Sequence, residues 1–435
     1  MKLLAPPNLL LILREELCQG CTHCIRACPT EAIRIRRGKA QLMPHRCVQC
    51  GRCIQICPQG AWGVRSDSLE KVKKDGVAVA ILDPTVFWQF GGRISPQAIT
   101  EAFLEIGFGG VQDLGEALQF YEAAVASYLS SEERPSPAIA STCPAVVQLV
   151  EVKYASLAEN LVPVLPPFRI MVSRRKDMRR GNSNQRWYYI VPCLAQAQAA
   201  TQPPGKGKKN YGAIPLAEVY NPLKTVVSQK RKPIGVPSIE EPLPSGMRWA
   251  AAGGESAAVR APASLVVDGI DNVAKVLELA ESGLLGDVPF IEAWACTGGC
   301  LGGPLTVQEP FLARYHLMNW VEQNKGRLGK SKNGRENVEL GQFRLSRPFV
   351  SRPGMRLDED LKVAIQKLRR INEVVKKFPG IDCGSCGCPN CLALAEDIVQ
   401  GHATESHCLY VLKEKTAGRS RPKMGRRENP NREGS

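Results

Sequence analysis

The sequence predicts an α/β core of buried strands and helices, flanked by a small cysteine-rich region at each end. Three observations point to it. Four short apolar runs stop at a cysteine, a proline or both, as buried strands do when their loops face a site. Eight cysteines crowd residues 18–57 in two copies of one pattern. Five more fall between 383 and 408, just after a stretch with helical spacing.

A chain of 435 residues with 44% hydrophobic content can bury real cores and is long enough for several domains. The opening MKLLAPPNLLLIL is apolar but interrupted by Pro6 and Pro7, and Arg14 follows closely. It is too short to span a bilayer and is expected to be a strand or hairpin edge, which leaves a cytoplasmic chain with no membrane span. Seventeen cysteines in such a chain point to metal rather than disulfides. The formal charge of +15 counts every cysteine as neutral. Four cubanes at about −2 each would leave about +7, and the basic loops lack interleaved aromatics, so a nucleic-acid partner is not expected.

Residues 18–65 contain an internal repeat. CQGCTHCIRACPTEAIRIR and CVQCGRCIQICPQGAWGVR align Cys18 with Cys47, Cys21 with Cys50, Cys24 with Cys53 and Cys28 with Cys57. The doubled CxxCxxCxxxCP spacing wraps three corners of a cubane, and the fourth cysteine lies too far along to close the same one. One 4Fe–4S cluster should therefore take Cys18, Cys21, Cys24 and Cys57, and the other Cys47, Cys50, Cys53 and Cys28. Structural zinc would need separable CxxC pairs instead. The stretch resembles bacterial two-cluster ferredoxins, which places a ferredoxin-like domain over residues 1–70.

The texture then changes. GVAVAIL (76–82) reads as a buried strand stopped by Asp83-Pro84. SPQAITEAFLEIGF has helical spacing, with Ser95 as N-cap and Pro96 in the first turn. SPAIAST (136–142), WYYIVPC (187–193) and PFIEAWAC (289–296) are three further strands. Stretches 201–212, 228–262 and 322–340 are rich in Pro, Gly, Lys or Asn and read as long exposed loops. From 357 to 377, Leu361, Ala364, Ile365, Leu368, Ile371, Val374 and Val375 recur at three- and four-residue steps, giving an amphipathic helix.

That helix leads into CGSCGCPNCLALAEDIVQGHATESHC, where Cys383, Cys386, Cys391 and Cys408 follow a C-x2-C-x4-C-x16-C spacing. The stretch resembles the small four-cysteine iron–sulfur domain that accompanies many redox proteins, here spanning 357–412. Cys388 is an extra thiol, read as a small buried residue. Residues 413–435 carry a basic surplus and read as a disordered tail.

Four cysteines remain: Cys143, Cys193, Cys296 and Cys300. Taken together they follow predicted strand ends; Cys143 and Cys193 adjoin a proline, and Cys296 and Cys300 lie in a glycine-rich turn. At these residues the chain resembles the large subunit of FeFe-hydrogenases over about residues 76–345. The order of ferredoxin, core and four-cysteine domain resembles a divergent branch read as sensory. The resemblance implies that the four cysteines bind a 4Fe–4S cluster and that Cys300 would bridge to a two-iron subsite bearing CO and cyanide.

The chain departs from the family at four positions. Thr142 stands where a proton-relaying cysteine is expected, Val191 where a methionine is, and Gln196 where a cyanide-binding lysine is. Trp294 replaces a second methionine, and its bulk is expected to take up the room beside Cys300. No catalytic residue is assigned.

The expected function is thus a redox protein with about four cubanes, acting in electron transfer or in redox or H2 sensing. Its expected partner is a ferredoxin or reductase, with a signalling partner possible. A divergent working hydrogenase is the alternative, and a basic cluster protein on nucleic acid a more distant one.

Overall fold

A computed structural model describes residues 9–74, 77–132, 134–175, 185–201, 210–229, 244–261, 263–327, 340–345, 349, 351–352 and 354–417. Near the N-terminus two small antiparallel ladders hold the repeat. Strands β1 (Leu11–Leu13) and β4 (Trp62–Val64) pair with Leu11 opposite Val64 and Leu13 opposite Trp62, so the end of the apolar opening forms a strand, while residues 1–8 lie outside the described residues. Strands β2 (Ile33–Arg36) and β3 (Lys39–Leu42) pair with Ile33 opposite Leu42. The cysteine loops lie around these ladders, over a core built from Ile25, Ala32, Ile33, Ala61 and Trp62.

The middle of the chain is a parallel α/β structure. Strands β5 (Val77–Leu82), β6 (Gly110–Asp113), β8 (Gln185–Val191) and β9 (Tyr211–Pro215) form one sheet in the order β6-β5-β8-β9. A second sheet has the order β10 (Leu265–Asp268), β11 (Phe290–Trp294), β7 (Ala138–Ile139). Every pairing in both sheets is parallel. Helices cover the faces, so the strands are apolar along their length rather than alternating. The helix Pro96–Glu105 starts as expected: the Ser95 side chain accepts from the Ala98 amide at 3.1 Å.

Two of the expected loops differ from the sequence reading. Residues 211–215 form the buried edge strand β9, which pairs with β8 from Trp187–Tyr211 to Val191–Pro215. Within 228–262, Pro244–Arg248 and Gly254–Val259 are short helices around buried Trp249, Ala250 and Ala251, while 230–243 lies outside the described residues. The glycines there made the stretch look like loop. Gly254 instead permits close packing, since a Cβ on it would stand 2.1 Å from the Arg248 carbonyl oxygen. The expected loops at 202–209 and 328–339 also lie outside the described residues.

At the C-terminus the predicted helix is Leu361–Val375, capped by Asp360, which accepts from the Lys362 and Val363 amides. Its apolar stripe is only half used. Ile371 and Val374 are buried with Phe378, Ala393, Leu394 and Val411, but Leu361, Ile365 and Leu368 face solvent. The helix Leu409–Ala417 runs into the stretch expected to be a disordered tail, and 418–435 lies outside the described residues. Among the described residues no helix is long and apolar enough to cross a membrane.

Candidate iron–sulfur centres and the chamber at Cys300

The parallel strands deliver the four scattered cysteines to one place. Cys143 follows β7 after a short bend, Cys193 lies two residues beyond β8, and Cys296 lies two beyond β11. Cys300 sits in the glycine turn that follows, where Gly298 and Gly299 have φ near +80°. A Cβ on Gly299 would stand 2.6 Å from the Ala252 amide nitrogen, and one on Gly303 2.4 Å from the Pro192 carbonyl oxygen. Only glycine lets these loops close around the space they enclose. Cys143, Cys193, Cys296 and Cys300 line a void of about 350 Å³ together with Cys50 from the N-terminal repeat.

Two further voids lie inside the repeat, each lined by cysteines from both copies of the motif. Cys18, Cys21, Cys24 and Cys57 line one of about 320 Å³. Cys28, Cys47, Cys50 and Cys53 line the other, of about 340 Å³. Thiols ringing a void suit a cubane, whereas a single tetrahedral ion draws its ligands onto one point. Burial first, and neighbouring thiols second, push Cys193 up to about 12 and Cys296 well above its ordinary value, while burial and then the Asp83 carboxylate push Cys300 well above its own. Burial likewise pushes Cys47 up to about 12. So many buried thiols cannot ionise together without a cationic metal core among them, which an iron–sulfur cluster provides.

Cys50 borders both the core void and the second repeat void, so these two sites are neighbours. The contact is tight. Gly51 (φ +75°) leaves no room for a side chain, because a Cβ there would lie 2.4 Å from Pro304 Cγ. Gln55 Nε2 donates to the Gly302 carbonyl at 3.0 Å.

The Cys383, Cys386, Cys391 and Cys408 set belongs to the C-terminal region, with Cys386, Cys391 and Cys408 packed in its apolar cluster. Asn390 caps the helix Cys391–Val399 by accepting from the Ala393 amide. Cys388 is fully buried, with its sulfur 3.4 Å from both Arg36 Nη2 and Asp397 Oδ2.

Beyond Cys300 the core opens into a chamber of about 570 Å³ including its mouth. Thr142, Gln196, Trp294, Arg169, Asp83 and Cys300 are among the residues that line it. Trp294 forms part of its wall, beside Cys300. Its indole Nε1 donates to the buried Glu292 carboxylate at 2.7 Å. Val191 is not at the chamber; it is buried in the hydrophobic core under the sheet. Gln196 Nε2 donates to the Cys300 sulfur at 3.3 Å, and its Oε1 accepts from the Tyr189 hydroxyl at 2.9 Å. That hydroxyl also lies 2.7 Å from Asp83 Oδ2.

Two groups escaped the sequence reading, one behind the chamber wall and one in it. Thr142 Oγ1 donates to Glu255 Oε2 at 2.8 Å, and Tyr121 OH to Glu255 Oε1 at 3.2 Å. Burial, then the charge of Glu292, pushes the Glu255 carboxyl up to about 8. Arg169 is a lining cation, with Nη1 donating to Tyr211 OH at 3.2 Å and Nη2 to the Ala199 carbonyl. Neither position has a local sequence signal, since each is placed by strands or helices far away in the chain.

Known families match in three segments. The family described as the iron only hydrogenase large subunit, C-terminal domain, matches residues 77–214 and 248–304. A 4Fe-4S dicluster domain matches 10–58, and an Fe-S cluster family matches 378–410. No curated protein matches the chain. Among solved structures, one of HydA(deltaEFG), titled for stepwise assembly of the FeFe-hydrogenase H-cluster, is similar over 66% of this chain and 100% of its own, with 15% identity and a TM-score of 0.47. A variant of the FeFe-hydrogenase HydA1 from Chlamydomonas reinhardtii gives the same coverage, with 15% identity and a TM-score of 0.47. The chain is a hydrogenase-like iron–sulfur protein with an N-terminal ferredoxin-type domain.

Proposed function

We propose that the protein moves single electrons along a line of four 4Fe–4S cubanes and reports the redox state, or the presence of H2, from its hydrogenase-like core. One observation supports this most: Cys50 borders both the inner repeat void and the core void, so the ferredoxin-type region abuts the core site directly. The cubanes would be held by Cys18, Cys21, Cys24 and Cys57; by Cys28, Cys47, Cys50 and Cys53; by Cys143, Cys193, Cys296 and Cys300; and by Cys383, Cys386, Cys391 and Cys408. A cubane supplies a one-electron couple whose potential the surrounding hydrogen bonds and charges set. Exposed Cys21 marks the side on which a soluble donor such as a ferredoxin or reductase would dock. Signalling to a partner protein would follow from the state of the core.

A second reading, hydrogen turnover, is favoured by the chamber. It offers room beside Cys300, a cation in Arg169, and a protonatable carboxyl behind Thr142. Against it, the Gln196 amide is committed to Cys300, and the Arg169 guanidinium is held by neutral acceptors on the protein. A threonine alcohol is also a far weaker acid than a thiol. Iron and sulfide analysis of anaerobically prepared protein tests the first reading, with about sixteen irons per chain expected. A count near four, or zinc in place of iron, would reject it. Infrared spectra after co-expression with maturases for the two-iron unit test the second.

A further inference from the structure

The C-terminal region does not hang from the chain as an independent module; it is fastened to the ferredoxin-type domain at the cysteine loops themselves. The Ile35 amide donates to the Gly387 carbonyl at 2.8 Å. Ile35 lies on β2 and lines the void of Cys18, Cys21, Cys24 and Cys57, while Gly387 directly follows Cys386. Gly387 has φ +76°, and a Cβ on it would stand 2.1 Å from the Ile35 carbonyl oxygen, so the two backbones meet with nothing between them. Arg26, two residues after Cys24, donates to the Cys383 carbonyl at 2.6 Å.

Buried ion pairs fix this approach. Arg34 grips Asp397 with two parallel hydrogen bonds, Nε to Oδ2 at 2.8 Å and Nη2 to Oδ1 at 3.0 Å, and both side chains are 5% exposed. Arg36 joins the same carboxylate and also donates to the Gly387 carbonyl at 3.3 Å. Arg46 pairs with Glu396. Ion pairs alone would make a clamp. Here the clamp brings one ligand loop against the strand that faces another ligand set, with arginine cations at the seam, which lessen the repulsion between two anionic clusters.

We infer that the C-terminal set is the fourth link of the electron path and exchanges single electrons with the Cys18 set across the Gly387–Ile35 contact. In each exchange one side is oxidised by one electron and the other reduced by one, with no proton or bond transferred. The Cys18 set is then a junction with two approaches, one from solvent at Cys21 and one from the C-terminal region. The inference rests on the reading that both sets hold cubanes.

The test uses the full chain, reconstituted anaerobically, and reads iron content and the electron paramagnetic resonance of the reduced protein. In the unsubstituted protein the Cys18-set signal should be split or broadened by its neighbour. Cys383→Ser with Cys386→Ser should remove about four irons and collapse that signal to a simple form. Gly387→Ala and Asp397→Asn should keep the iron but weaken the splitting and slow electron exchange between the two sets. A Cys18-set signal identical with and without the C-terminal cubane, at full iron elsewhere, overturns the inference. An unsubstituted protein whose C-terminal region holds zinc or no iron instead overturns the cubane reading on which it rests.

Discussion

Gln196 donates its side-chain amide to the sulfur of Cys300 across 3.3 Å, at the boundary between the core void and the chamber. The hydrogen bond stabilises negative charge on that sulfur, and so favours the reduced form of whatever cluster the thiolate holds. Replacing Gln196 with leucine removes the donor while keeping most of the volume. A difference of about 1 kcal/mol in that hydrogen bond between the two redox states corresponds to roughly 40 mV for a one-electron couple. Potentiometric titration should show one of the four couples becoming more negative by that order, with the others unmoved.

Crossed ligation in the repeat makes a pairwise prediction. Cys57→Ser and Cys21→Ser should disturb the same cubane and give matching spectra, although Cys57 belongs to the second copy of the motif. Cys28→Ser should instead match Cys53→Ser. Each change should cost up to about four irons. Spectra that group Cys57 with Cys53 would mean that each motif closes its own cluster.

Glu255 gives the fold a pH dependence of known sign. Its folded carboxyl is raised to about 8 from an ordinary value of 4.5, by burial first and by Glu292 second. Between those values the unfolded chain has released a proton that the folded one still holds. The stabilising contribution is therefore complete below about pH 4.5 and is lost as pH rises toward 8, with a slope of up to about 1.4 kcal/mol per pH unit. Glu255→Gln keeps both hydrogen-bonding oxygen and shape and should flatten the curve. Denaturant melts at pH 6 and at about pH 8.5 check this; equal slopes in both proteins would contradict it.

The seam between repeat and core turns on one glycine. Gly51→Val would place side-chain atoms into Pro304 at a backbone angle (φ +75°) that valine resists. The strain is on the order of 1–3 kcal/mol before any clash is counted. The two regions should part slightly, and reduction of the core cubane by an external donor should slow while the repeat cubanes still reduce normally. Stopped-flow absorbance separates the two phases.

Twelve candidate ligands stood out because cubane ligation imposes local spacing, and the four scattered ones because they follow apolar runs of the kind a buried parallel strand makes. The helix at Ser95 was legible because caps are written in adjacent residues. What escaped depends on distance along the chain. Arg34 and Asp397 are each unremarkable charges in sequence, and they become a buried pair only when strand β2 meets a helix 363 residues later. Glu255 lies in a glycine-rich stretch that reads as loop, yet it stands behind Thr142 because Gly254 and the Glu292 carboxylate, which accepts from Gly253 and Ser256, draw the backbone in. The chamber could not be read from Trp294 alone, because its walls come from residues as far apart in the chain as Asp83, Arg169 and Cys300.

The central claim is that the core is a one-electron centre and not a hydrogen catalyst. The most direct test is H2 evolution from a strong reductant, by protein carrying its full iron complement and matured in the presence of the two-iron assembly factors. Gln196 is committed to Cys300, and Thr142 gives its proton to a hydrogen bond with Glu255. We therefore expect H2 production no greater than that of the same protein prepared without those factors. Sustained turnover that depends on them, and that falls when Cys300 is replaced by serine, would contradict the account and make the chamber an active site.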